Sequence, residues 1–82
     1  MRKIDNEIVD FMIKFFKQKK INKNSNINDI KKWDSLNHVN LIHLISKKYS
    51  IEISFNEMIN INSVKDVIKI VKKKLQPTRP LP

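Results

Sequence analysis

Eighty-two residues, 40% of them hydrophobic and 30% charged, suffice for one modest core and are too few for two. The absence of cysteine excludes disulfides, thiolate metal sites and a cysteine nucleophile, and with a polar N-terminus in place of an apolar signal run it predicts a cytoplasmic protein. Seventeen Lys+Arg stand against eight Asp+Glu, a formal net charge of +9, and no stretch approaches the roughly 18 uncharged apolar residues of a membrane span.

Ile4, Ile8, Phe11, Met12 and Phe15 recur at helical spacing, with Lys14 and Lys17 breaking the apolar pattern, and predict a first amphipathic helix over about 3–18. Residues 19–28 read as a long polar loop, rich in Lys and Asn and anchored by Ile21 and Ile27. A second helix opens at Trp33-Asp34-Ser35-Leu36 and runs to about Tyr49, with Val39, Ile42, Ile45 and Tyr49 on one buried face. Ile51-Glu52-Ile53 alternates like a strand but is too short to stand alone, so it reads as an extended connection. Ser54-Phe55-Asn56-Glu57 has capping-box spacing and predicts a short third helix from Phe55. Ser63-Val64-Lys65-Asp66 repeats the device and starts a fourth helix. There Val64, Val67, Ile68, Val71 and Leu75 face inward, and Lys65, Lys69, Lys72 and Lys73 form a solvated face. The predicted fold is all-α: a four-helix bundle over 1–75 with three longer helices, a short third one and a long loop between the first two. Residues 76–82 hold all three prolines and read as a disordered tail, in which Pro77-Thr78-Arg79-Pro80 matches a P-x-x-P pattern.

Asp34-Ser35-Leu36 is the most informative tripeptide. Ser35 stands at a helix entrance, where unpaired backbone N–H groups and the helix dipole favour a phosphate on its hydroxyl. Asp34 suits the N-cap and can help hold a metal ion while a phosphate-containing group is transferred to Ser35. Leu36 lies away from the apolar face, and an exposed apolar residue beside a modifiable serine suggests a docking contact. By itself, an Asp-Ser pair is also an ordinary cap.

The run from Trp33 to Ile42 resembles the acyl carrier protein family, whose hallmark is Asp-Ser-Leu followed by a helix of this apolar spacing. Tyr49-Ser50-Ile51-Glu52-Ile53 is similar to that family's exit from the second helix, and Ile61-Asn62-Ser63-Val64-Lys65-Asp66-Val67 to its approach to the last. The resemblance extends to about Leu75. It implies a carrier, not an enzyme, in which Ser35 receives a 4′-phosphopantetheine arm from coenzyme A through a phosphopantetheinyl transferase. Acyl groups then ride as thioesters on the arm, and a small monomeric domain delivers them to acyl-loading and acyl-transferring enzymes at high effective concentration. The family also shelters acyl chains among its helices, each buried CH₂ contributing about 0.8 kcal/mol, and Ile53, Met58, Ile59 and Ile61 are the expected lining or ordinary core.

Two features depart from the family. Trp33 stands where many carriers have glycine. The outer stripe of the second helix, Leu36, Asn40, His43 and Lys47 flanked by Asn37, Leu44 and Lys48, lacks the acids that basic partner enzymes recognise. These residues are the expected partner surface, and their charge predicts a specialised pathway rather than housekeeping fatty-acid synthesis. His38 is expected to pack toward the core and His43 to lie on the surface. A Ser35–His38 nucleophile pair lacks an orienting carboxylate and an oxyanion hole, and the two histidines make a poor metal site. The alternative function is a basic helical module for nucleic acid or an acidic protein. Against it, the lysines are dispersed and the aromatic residues lie at core spacing, without a stacking platform. Abundant Lys, Ile and Asn beside no Gly or Ala also fit an A/T-rich genome as the source of the charge.

Overall fold

Most of the helices begin where a side-chain oxygen accepts from an unpaired first-turn amide. A computed structural model describes residues 3–75, so the Pro-rich segment and its P-x-x-P pattern lie outside the described residues. Helix α1 (Ile4–Phe16) carries Asp5 and Glu7 in its first turn, where the dipole favours acids, and stops at Lys17 in the left-handed region at φ 54°. Helix α2 (Ser35–Tyr49) is capped by Asp34 and ends the same way at Ser50, at φ 53°. The expected capping box opens α3 (Phe55–Ile59): Ser54 accepts from the Glu57 amide while Glu57 accepts from the Ser54 amide. Helix α4 (Val64–Leu75) follows Ser63, whose hydroxyl accepts from the Asp66 amide, and the Asp66 carboxylate reaches back to the Asn62 amide. Residues 51–53 form the extended connection.

One core joins these elements. Ile8, Met12 and Phe16 of α1 meet Leu41, Ile42, Ile45 and Tyr49 of α2 and Val64, Val67, Ile68 and Val71 of α4. The spacing in α1 is strictly four residues, so Phe16 takes the place that the sequence pattern gave to Phe15. Phe11 and Phe15 lie half-buried on the neighbouring stripe, their rings stacked 6.3 Å apart. In α2 the buried arc begins at Leu41, and Val39 is 48% exposed, contrary to the expectation that it packs inside. Val39 faces the gap between α2 and α3, and α3 contributes no buried residue to close it. Lys72, exposed as expected, also pairs with Asp5 at 2.6 Å, linking α4 to α1 and holding the Asp5 carboxyl below its ordinary range.

The polar loop is pinned rather than free. Ile21, Ile30 and Trp33 sink into the core, and residues Ile27–Asp29 form a 3₁₀ turn closed by a reciprocal Asn26–Asp29 capping box. Its edge bonds to the start of α4: the Ile27 amide donates to the Asn62 carbonyl at 2.8 Å, and the Val64 amide to that of Ser25 at 2.9 Å. Among the described residues no helix is long and apolar enough to cross a membrane.

Candidate functional site

The pinned loop delivers its last residues to the head of α2. Trp33 is 3% exposed, its ring 5.7 Å from that of Phe16, and its amide bonds the Ile30 carbonyl. Burial of Trp33 fixes where Asp34 stands. The Asp34 Oδ1 then accepts from the Asn37 amide at 2.9 Å, and the Asn37 side-chain amide donates to the Lys32 carbonyl at 2.8 Å. Ser35 is the first residue of α2 and is exposed. Ser35 therefore stands at the positive end of a fifteen-residue helix, open to solvent, beside an exposed Asp34 carboxylate of which one oxygen caps the backbone.

His38, one turn on, is held from both sides. The Trp33 Nε1–H donates to His38 Nδ1 at 2.8 Å, and His38 Nε2 lies 2.8 Å from the Met58 carbonyl. An indole nitrogen only donates, so Nδ1 is the acceptor, and Nε2 carries the ring hydrogen and donates to Met58. Both nitrogens are thereby engaged, and neither is left to deprotonate Ser35, which removes the serine–histidine nucleophile pair.

A cleft of about 620 Å³ opens beside Ser35, lined by Ile27, Trp33, His38, Val39, Phe55, Met58, Ile59 and Ile61 among others. Phe55 and Ile59 are 70% and 56% exposed, so open apolar surface shares the cleft with Ser35. Three of the four residues expected to line an acyl pocket, Met58, Ile59 and Ile61, meet here. Ile53 does not: it lies on the far side of α3, in a hollow with Ser46, Glu52, Glu57 and Lys74. Val39, Phe55 and Trp33 were absent from the expected lining. Val39 stands one helical turn from Ser35, a spacing that placed it on the serine's side. Nothing local marked Trp33, whose place depends on Phe16 and His38.

On the outer face, Leu36, Asn40, His43, Leu44 and Lys47 are exposed, with Leu36 at 71%. Asn37 is half-buried and spends its side chain on the loop, so it belongs to the scaffold rather than to that surface. Lys48 lies over the Phe11 and Tyr49 rings, 6.0 and 5.6 Å from their centroids, on the α1 side of the helix. Among the described residues no group of three or more His, Cys, Asp or Glu is placed to hold a metal ion.

No protein-family model matches the chain. No curated protein matches it either. Solved structures do, acyl carrier proteins among them. A holo acyl carrier protein from Geobacter metallireducens is 30% identical, with a TM-score of 0.77 over 92% of this chain and 87% of that one. An acyl carrier protein from Thermotoga maritima, 22% identical, shares the fold with a TM-score of 0.72 over 87% of this chain and 85% of that one. Fold, length and sequence agree with the Geobacter protein along nearly the whole domain. The chain belongs to the acyl carrier protein family, whose members are carriers rather than enzymes.

Proposed function

We propose that the protein holds acyl intermediates on a 4′-phosphopantetheine arm attached to Ser35 and hands them between enzymes of a specialised pathway. The observation that carries this reading is the exposed Ser35 at the head of α2, at the edge of a mostly apolar cleft that it helps to line. The residues fit the group. The first-turn amides and dipole of α2 favour the negative charge of a phosphodiester. Val39, Phe55, Met58 and Ile59 offer apolar surface to whatever the arm bears. When bound, the arm supplies a terminal thiol that carries the acyl group as a thioester. Asp34 holds the helix start in register through its cap and presents a carboxylate beside Ser35 to the transferase.

Partner choice rests on the outer face of α2. Leu36 supplies the apolar contact, and the fifteen residues of the helix include no acid. A partner with a basic docking patch gains no steering from this face, so the matching enzymes present neutral or acidic ones. That supports a dedicated pathway and argues against shared fatty-acid synthesis.

The test is incubation with coenzyme A, Mg²⁺ and a broad-specificity phosphopantetheinyl transferase, followed by intact-mass measurement. Wild type should gain one phosphopantetheinyl group and Ser35→Ala none. A wild type left unmodified by several transferases, with tight salt-dependent nucleic-acid binding instead, would favour the basic-module alternative.

A further inference from the structure

Apolar help for helix α3 comes from Met58, partly buried against the core. None of its five residues is buried, and Phe55 and Ile59 are more than half exposed. Its ends are closed locally, by the Ser54 capping box and by the Asn60 and Ile61 amides bonding the Glu57 and Met58 carbonyls. Local closure makes a helix turn but does not say where that turn sits against α2. Side chains from other elements do. The Lys74 ammonium meets Glu57 at 3.0 Å, with both side chains about a third exposed and the pair accordingly weakened by water. His38 reaches the Met58 carbonyl from a partly buried position, and it is oriented by an indole that is itself locked in the core.

This chain of bonds has one direction. Trp33 donates, His38 accepts at Nδ1 and donates from Nε2, and Met58 accepts, so each bond polarises the next. All three residues line the cleft beside Ser35. The anchored end is Trp33, at 3% exposure, and the movable end is α3, which forms the cleft's far wall.

We propose that the Trp33–His38–Met58 relay is a clasp that positions α3 against α2 and thereby fixes the size of apolar group the cleft accepts. The clasp stands on the geometry alone; its effect on cargo rests on Ser35 being the attachment point. Trp33 and His38 are then positioning residues for cargo selection. Substitution at His38 loosens α3 selectively, because the buried α1–α2–α4 residues make no use of its bond to Met58, whereas Trp33 also packs on Phe16 and its loss is felt in the core as well.

The test uses the full chain, as wild type, His38→Leu, and Trp33→Phe, which removes the donor and keeps a smaller buried ring in the core. In the unmodified protein, nitrogen-15 spectra should show His38 as the Nε2–H form in wild type. Amide exchange at Met58, Asn60 and Ile61 should rise about tenfold or more in both variants, while Ile45 and Val67 change by less than about twofold in His38→Leu. In a second arm, carriers bearing hexanoyl or tetradecanoyl groups are cleaved with hydroxylamine, and Trp33→Phe should shift the ratio of the two rates by about threefold or more. Unchanged exchange in α3, an equal rise throughout the molecule in His38→Leu, or a His38 ring protonated at Nδ1 would overturn the clasp. An unaltered chain-length ratio would overturn its role in cargo selection. Failure of any chain to load would instead overturn the attachment at Ser35, with the clasp still decided by exchange.

Discussion

Lys17 and Ser50 close α1 and α2 in the left-handed region, a conformation in which a Cβ crowds the following carbonyl, in a sequence that contains no glycine. Ser50→Gly and Lys17→Gly are each expected to raise stability by roughly 0.5–1 kcal/mol in denaturant unfolding, with unchanged slope. Asp34 has two roles that separate at the same scale. Asp34→Asn keeps an oxygen for the Asn37 amide and should leave stability nearly unaltered, whereas Asp34→Ala should cost about 1 kcal/mol. If the carboxylate also serves the transferase, both variants are modified more slowly than wild type. Equal rates for Asn and Asp would confine Asp34 to the cap.

Among the elements, α3 has no buried residue, and its first turn is closed by a carboxylate. The Ser54 amide, followed by the Lys74 ammonium, holds the Glu57 carboxyl down to about 2. A carboxylate whose pKa is depressed by folding contributes stability that is complete above the ordinary glutamate range and is lost as pH falls through the folded value. The Ser54 amide resonance should therefore titrate with a midpoint near 2, and Glu57→Gln should abolish that titration. A midpoint in the ordinary glutamate range would contradict the capping geometry. The start of α3 was legible in the sequence because a capping box is a local device, complete within four residues. What α3 covers was not legible. Val39 and Ile42 are equally apolar and, three residues apart, sit on adjoining arcs of α2, and the gap left by a short, shallow α3 exposes Val39 while Ile42 is buried. The same holds for Trp33, which in sequence stands merely in the place of a glycine and in space is the loop's anchor, and for Ile53, which α3 separates from Ser35.

Across the whole molecule, the charge of +9 is spread over the loop, the ends of α2 and the outside of α4 rather than gathered into one patch. Its consequence is local, at the face beside Ser35. Asn40→Glu with Lys47→Glu places two acids on exposed positions of α2 without touching the core. Association with a basic-faced acyl-transfer enzyme should quicken several-fold at low salt, and the gain should fade as salt screens it. Rates indifferent to both substitutions and salt would remove electrostatics from partner choice. Lys48 is the poorer site for this reversal, since its ammonium lies over Phe11 and Tyr49 and its loss would disturb packing against α1.

A carrier role depends first on a covalent group at one hydroxyl. Trypsin should release residues 33–47 as one peptide, which contains two serines, Ser35 and Ser46. Ser46 is half-buried and its hydroxyl donates to the Ile42 carbonyl, whereas Ser35 stands open at the head of the helix. Fragmentation of that peptide after incubation with coenzyme A and a phosphopantetheinyl transferase should place the whole added mass on Ser35. Mass on Ser46, or a peptide that remains unmodified with every transferase tried, would contradict the carrier reading.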